Sequence, residues 1–373
     1  MAGAHPEATG TPQTSGTPHG TEAGPPLGSA AAPDGAADGA PDQVTGELLE
    51  LSLGYLYSAA LHTAARFGIA DHLADGPRGA EELAKAAGVD GAHLYRLLRF
   101  LATKGVFRED EEGRFHLTPL AQPLRTDVER SLRDYIMVRG EPVFWQSAAQ
   151  LHEAVRTGGT AFENVYGVPF YDHIADVPEL GRAFNSSMAA FSETLSNDVV
   201  EAVDFSGATS AVDVGGGRGG LLRAVLRRNP HMTGTLVDLE TVVAGHVLDT
   251  PELTGRWKAQ AGDFFASVPS GADVYLLKHV LASWPDDECV RILRTCREAM
   301  PARARLLVIN AMIPAGNDPH PGKTIDVLMM TVLNGKGRTR AEYEALLATA
   351  GFTVVRVLEP SPHASVIEAV VAD

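Results

Sequence analysis

The residues best suited to chemistry in this chain form one short run, Asp213-Val214-Gly215-Gly216-Gly217-Arg218-Gly219-Gly220. Ala211-Val212 before it reads as the end of a buried strand, and Leu221–Arg228 after it has helical spacing and good helix formers. Glycine is needed in such a turn because the backbone must bend tightly and lie against a ligand, where a Cβ would intrude. The helix that follows offers free N–H groups and the positive end of its dipole to an anionic group. A second carboxylate, Asp238, sits at the end of the next apolar segment, Gly234–Leu239, where it can accept ribose hydroxyls. Gly215, Gly217 and Gly220 also satisfy the G-x-G-x-x-G spacing of a dinucleotide site.

That spacing leaves NAD and S-adenosylmethionine both open as ligands. Asp213 and the run Gly262-Asp263-Phe264-Phe265 favour the second. The run follows the third apolar segment, so its carboxylate and ring suit an adenine amino group and ring face. A methionine-derived ligand needs Asp238 for its ribose and no pyrophosphate cradle.

These groups must be positioned by an α/β domain. Strands are predicted at Ser210–Val214, Gly234–Leu239, Lys258–Gly262, Ala272–His279, Arg305–Ala311, Thr353–Leu358 and Ser365–Val371, with helices separating the first six. The connection Glu359–Ala364 is too short for a crossover helix, so the seventh strand enters antiparallel. One antiparallel strand in a mostly parallel sheet is the Rossmann-like arrangement of class I methyltransferases. Upstream, Leu48–Phe67 reads as one long helix. Gly79–Gly88 and Asp90–Leu101 read as two short helices, and Lys104–Arg108 with Arg114–Thr118 as a hairpin. Helix, helix, hairpin is a winged-helix layout. Arg96 and Arg99 could touch phosphates, but the wing carries Glu109, Asp110, Glu111 and Glu112, where a DNA-binding wing is basic. The apolar Leu48–Phe67 helix needs a partner surface, which points to dimerisation. Residues 128–198 read as helices rich in aromatics, among them Tyr135, Phe144, Trp145, Phe162, Tyr166, Phe170, Tyr171, Phe184 and Phe191, a set that serves as core or as the wall of a pocket for a planar substrate. Residues 1–43 carry almost no large apolar side chain and are expected to be disordered. The expected organisation is therefore a tail at 1–43, a winged-helix dimerisation domain at 44–127, a helical linker at 128–198 and a cofactor-binding domain at 199–373.

A net charge of −16 argues against a nucleic-acid or anionic-membrane partner. No apolar run approaches the roughly 18 residues of a membrane span, and the N-terminus lacks a signal-peptide pattern. Cys289 and Cys296 fall seven apart on one predicted helix without metal-ligand company, as reduced thiols of a cytoplasmic protein would. No metal is expected.

Over residues 45–373 the chain resembles the plant-type and bacterial natural-product O-methyltransferases, which act on phenylpropanoids, anthracyclines and mitomycins. The resemblance rests on the winged helix, Asp213–Gly219, Val237-Asp238-Leu239, Gly262–Phe265, Asp273–Lys278, Trp284 and Gly335–Glu342. It implies a homodimer and an S-adenosylmethionine site. Gly215 and Gly217 would approach the cofactor, Asp238 the ribose, and Asp263 and Phe264 the adenine. Lys278 would lie near ribose and adenine, with Trp284 covering the ring. The substrate pocket would draw on Phe144, Trp145, Phe184, Met188, Asn310, Asp326 and Met330.

The acid/base positions depart from the family pattern. The usual His-Asp-Trp triplet, whose His deprotonates a phenol, reads Ala282-Ser283-Trp284. An acid usually ends the fifth strand, where Asn310 stands, and a Glu usually precedes Arg338-Thr339, where Gly337 stands. A base typically supplies ~10²–10⁴-fold in rate. Its loss leaves three outcomes. The substrate is already nucleophilic and orientation suffices, orientation being worth ~7–11 kcal/mol. Or another residue is the base, with His279 nearest in sequence and His152, His173 and His363 more distant. Or the bound cofactor serves a non-methylating hydroxylation, cyclisation or pericyclic step, its positive charge steadying a developing anion. The first is the expected function, O-methyl transfer to an aromatic or polyketide natural product; a non-methylating tailoring enzyme is the alternative.

Overall fold

The computed structural model describes residues 41–372, leaving the side chains of 41–43, 190, 191, 193 and 194 outside the description. Most of the segment expected to be a tail thus lies outside the described residues, as does the Phe191 side chain. The first element, α1 (Pro41–Ser52), starts inside that segment. It belongs to a separate unit ending at Leu53. The long helix expected over Leu48–Phe67 is two helices, α1 and α2 (Gly54–Arg66), because the chain breaks at Leu53 beside a glycine, a poor helix former by about 1 kcal/mol.

The next elements are α3 (Ile69–His72), β1 (Arg78–Gly79), α4 (Ala80–Ala87), α5 (Gly91–Ala102), β2 (Phe107–Glu109) and β3 (Arg114–Leu117). They form the expected winged helix. Asp90 caps α5 by accepting from the His93 N–H at 2.9 Å. The short strand β1, not anticipated, pairs with β3. Leu83, Leu94, Leu98, Leu101, Phe107 and Phe115 are buried between helices and sheet. The wing's Asp110 accepts from Arg114 and sits 2.8 Å from His116.

Six helices follow: α6 (Arg133–Arg139), α7 (Pro142–Ala149), α8 (Leu151–Thr157), α9 (Ala161–Tyr166), α10 (Phe170–Asp176) and the long α11 (Pro178–Ala202). Then come β4 (Ser210–Val214), α12 (Gly220–Arg228), β5 (Thr233–Asp238), α13 (Glu240–Val243), β6 (Trp257–Ala261), β7 (Val274–Lys278), α14 (Asp286–Ala299), β8 (Arg305–Asn310), α15 (Pro321–Val332), α16 (Arg340–Thr349), β9 (Phe352–Ser361) and β10 (Ala364–Val371). The seven strands stand in the order β6-β5-β4-β7-β8-β10-β9. The first five run parallel, and β10 inserts antiparallel between β8 and β9, as expected from its short connection. One expectation fails: no helix joins β6 to β7. That stretch contains Gly262, Pro269 and Gly271, and the Asp263 carboxylate takes the Phe265 N–H at 2.8 Å, a local turn that competes with helix. Apolar side chains from both faces of the sheet form two cores, one against α14 and α16, the other against α11 and α12.

The chain leaves β4 for β5 on one side and returns to β7 on the other. A crevice opens at the carboxyl ends of strands where the order reverses in this way.

Candidate active site

The glycine turn lies at the mouth of that crevice. Gly215, Gly217 and Gly219 have φ of 64°, 60° and 83°, the left-handed region that glycine tolerates best. A Cβ on Gly215 would stand 2.9 Å from Val280 and 3.2 Å from the Phe264 ring, so this backbone is pressed against aromatic surface. Gly220, the third glycine of the dinucleotide spacing, is an ordinary first residue of α12; Gly219 makes the turn instead.

Asp238 ends β5 and holds the turn from the other side. Its two oxygens accept the N–H groups of Gly217 and Leu239, each at 2.8 Å. Burial raises its carboxyl above the usual range, and those two N–H groups oppose the rise. Asp213 is fully buried in β4; neither oxygen makes a well-formed hydrogen bond, the Leu222 N–H being directed at the carboxylate without closing one. Burial pushes it up to about 7, the Lys278 charge pulling the other way. Such a poorly satisfied acid in a core needs a reason, and a ligand donor is one. Lys278, expected near ribose and adenine, is engaged instead by α11. Its ammonium donates to the Ser192 carbonyl and hydroxyl, each at 2.6 Å, and to the Ser196 hydroxyl at 2.9 Å, tying β7 to α11. Burial pushes it down to about 7, against the pull of Asp213.

Phe264 and Trp284 meet edge to face at 6.1 Å, and Phe265 meets Trp284 at 4.8 Å. Asp263, Phe264 and Trp284 are therefore assembled beside the glycine turn.

Trp284 follows Ala282-Ser283, the segment where the family places its base, and this segment is clasped from outside. Arg338 is wholly buried. It donates to the carbonyls of Leu281 at 2.6 Å and Trp284 at 2.8 Å, and to Asp286 at 2.9 and 2.7 Å. A Cβ on Gly335 would overlap the Ala282 carbonyl, so only glycine fits there. A Cβ on Gly337 would stand 2.5 Å from Ile313 and 3.0 Å from Asp326, so the usual glutamate would require this wall to move. Asp326 has its own task, accepting the Gly337 N–H at 2.6 Å.

His279 has a φ of 58°, the one non-glycine residue in the left-handed region among those described. This costs on the order of 1–3 kcal/mol. Its ring is pushed down to about 3, by burial first and then by the charges of Lys278 and His363. It is partly accessible to solvent although protein surrounds it, as expected of a group in a concave wall. Of the other histidines, His173 packs in the aromatic cluster 5.4 Å from Phe162. His152 pairs with Glu153, and His363 lies exposed in the β9–β10 turn.

Phe144, Phe184 and Met188 join one cluster with Phe162, Phe170 and Leu328. Trp145 and Met330 are half-buried on α7 and α15, which pack against each other. Asn310 is 2% exposed at the end of β8, and its amide oxygen and nitrogen both lack a partner. Tyr171 belongs here too. Its ring lies parallel to Trp284 at 6.4 Å, and although the side chain reaches solvent, the protein packed around the phenol raises it. Nothing in the sequence separates Tyr171 from its aromatic neighbours. Arg338 was legible only as part of the late-loop resemblance. Among the described residues no His, Cys, Asp and Glu cluster could hold a metal, and no helix is long and apolar enough to cross a membrane.

Comparison with known proteins bears on the family and the fold. Residues 148–353 match the O-methyltransferase domain family, and residues 49–127 the O-methyltransferase dimerisation domain. The chain is 40% identical to phenazine O-methyltransferase PhzM of Lysobacter antibioticus, over 86% of this chain and 95% of that one. It is 39% identical to the mitomycin biosynthesis 6-O-methyltransferase of Streptomyces lavendulae, over 80% and 86%. The crystal structure of CalO1, a methyltransferase in calicheamicin biosynthesis, in its SAH-bound form, superposes with a TM-score of 0.83 at 40% identity, covering 90% of this chain and all of that one. By its sheet, its winged helix and these matches, the chain belongs to the O-methyltransferase family.

Proposed function

We propose that this protein is a cytoplasmic, homodimeric, S-adenosylmethionine-dependent methyltransferase that methylates an oxygen of an aromatic or polyketide natural product, and that it does so by positioning rather than through a histidine base. The site fits the cofactor on its own features: a buried carboxylate, Asp213, with no well-formed hydrogen bond, a part-buried one, Asp238, at the strand end, and a glycine cradle with no room for a Cβ at Gly215. When bound, the cofactor supplies an electrophilic methyl. Asp238 holds a ribose edge, Phe264 and Trp284 flank an adenine, and Asp213 offers its oxygens to a donor of the ligand. Asn310, with its whole amide unmet, is placed to hold a substrate oxygen. The phenolic proton leaves to solvent, either before transfer or with it.

The observation that carries the reading is Ala282 with Gly337. At the position of the usual base there is a methyl group, and at the position of the usual glutamate there is a glycine, where a side chain would need Ile313 and Asp326 to give way. The same observation favours the second reading, a tailoring enzyme that binds the cofactor without methylating. Product mass discriminates. Incubation with S-adenosylmethionine and hydroxylated aromatics should yield S-adenosylhomocysteine and a product heavier by one methyl in place of hydrogen. Conversion of substrate without S-adenosylhomocysteine would establish the second reading.

A further inference from the structure

Arg139, at the end of α6, has an arrangement that core packing does not explain. Its guanidinium lies 4.9 Å from the Tyr135 ring centre and 4.7 Å from that of Phe144. Among the described residues it makes no ion pair, and its Nε is buried without a hydrogen-bond partner. A half-buried guanidinium normally has a carboxylate, because five donors taken from water need acceptors. Two aromatic faces hold its position and plane but accept no such hydrogen bonds.

From Arg139 a chain of ring contacts leads to the glycine turn, through the buried Phe144 and Phe170 to Tyr171 and Trp284, which are accessible. Phe144 meets Phe170 at 5.9 Å, Phe170 meets Tyr171 at 5.7 Å, and Tyr171 lies parallel to Trp284 at 6.4 Å. Trp284 meets Phe264, the ring pressed against Gly215. The Arg139 charge is felt at the Tyr171 phenol, which also feels Asp238. One end of this wall thus carries an unpaired planar cation and the other the proposed cofactor site.

We infer that Arg139 binds the carboxylate of the substrate, and that the substrate is a planar aromatic hydroxy-acid laid along this wall with its hydroxyl toward the glycine turn. The guanidinium fork matches a carboxylate bidentately, and the flanking rings fix its plane. The acid supplies the counter-charge that the protein omits. This inference rests on the methyltransferase reading and specifies its substrate class.

Calorimetry with S-adenosylhomocysteine bound tests it, using 1-hydroxy-2-naphthoic acid and 1-naphthol as probes of the same ring system. The acid should bind at least tenfold more tightly than the naphthol. Arg139→Gln should remove that preference and leave naphthol within twofold of its original affinity, while Arg139→Lys keeps part of it. Equal binding of acid and naphthol by the unaltered protein, binding of neither, or an unchanged preference in Arg139→Gln would overturn the inference. So would equal weakening of both probes, which is the signature of a merely structural role under Phe144. If Arg139→Gln does not fold, the unaltered protein and Arg139→Lys decide between these outcomes. Affinity for S-adenosylhomocysteine alone is read first. Its absence would defeat the cofactor reading; its presence without an acid preference defeats only the substrate class.

Discussion

Single side chains divide the site into groups that hold and groups that react, and the two make different predictions. Asp238 holds. Its carboxylate anchors the glycine turn through two backbone N–H groups and retains lone pairs for a ligand. Hydrogen bonds to charged groups contribute about 1.5–3 kcal/mol each, so Asp238→Ala should weaken S-adenosylmethionine binding at least tenfold by calorimetry. Unchanged affinity would remove Asp238 from the cofactor site. His279 is the candidate to react, and its environment argues against it. With the ring pushed down to about 3, it is neutral throughout an assay between pH 5 and 9, and it is a feeble proton acceptor. His279→Gln should therefore cost no more than about threefold in kcat, against the ~10²–10⁴ a true base supplies. The pH–rate profile should show the substrate's ionisation and no histidine limb. Abolished turnover with intact cofactor affinity would restore the histidine as base. Stability has its own sign here. The folded value lies below the ordinary 6.5, so the unfolded chain binds more protons between about pH 3 and 6.5, and acidification through that window destabilises the fold. His279→Gln should flatten that slope. Asp213, Gly215 and Asp238 were readable in the sequence because their types and spacing are dictated by strand-turn-helix geometry. The left-handed backbone of His279, the diversion of Lys278 to α11 and the loop contact of Asp326 were not, since each is set by how segments fold back on one another and not by local residue pattern.

At the scale of elements, the segment Leu281–Asp286 between β7 and α14 is the part that decides what chemistry is possible; Leu281 and Trp284 pack it on the core, and its backbone carbonyls need a further partner. Arg338, from the loop before α16, is that partner, through two carbonyls and one carboxylate. Asp286 is half exposed, so the weight of the arrangement lies in the buried guanidinium and the carbonyls it satisfies. Arg338→Met leaves those carbonyls only the weak Cys289 thiol as donor, and an under-satisfied buried acceptor typically costs about 1–3 kcal/mol. A lowered melting temperature and weaker cofactor binding should appear together, because Trp284 rides on the same segment. Cofactor affinity unchanged in a folded Arg338→Met protein would show that the clasp does not position Trp284. Although burial pushes the Asp286 carboxyl up, hydrogen bonds from Lys336 and Arg338 hold it below its ordinary value. Its contribution is therefore present above the unfolded value near 3.8 and is lost as pH falls through the lower folded value. The sheet strands were legible as apolar runs punctuated by glycine and charge. The β6–β7 connection was not, because a side chain-to-backbone turn at Asp263 replaces the helix that strand alternation implies. Nor was the break at Leu53, which apolar periodicity passes straight through.

For the whole molecule, the argument turns on apolar surface and charge. Leu48, Leu49 and Leu51 on α1 are exposed, as are Tyr55 and Leu56 on α2. The wing is acidic and its Asp110 is already engaged by Arg114 and His116, so the wing adds no basic face for a phosphate backbone to Arg96 and Arg99 of α5. Two copies each carrying −16 repel one another, and an association between them has to be driven by apolar burial. That fixes the salt response. Screening shortens the reach of the repulsion to roughly 3 Å at 1 M salt and leaves the apolar contact intact. Light scattering should therefore give twice the chain mass of 39.5 kDa, with no loss of dimer as salt is raised. A chain starting at residue 41 should behave identically and keep its melting temperature, because residues 1–40 are too poor in apolar side chains to contribute a core. Leu49→Glu with Leu51→Glu should shift the mass toward the monomer by adding buried charge to the contact. A monomer in the unaltered protein at micromolar concentration, or a dimer that salt dissolves, would mean that these helices serve some other surface.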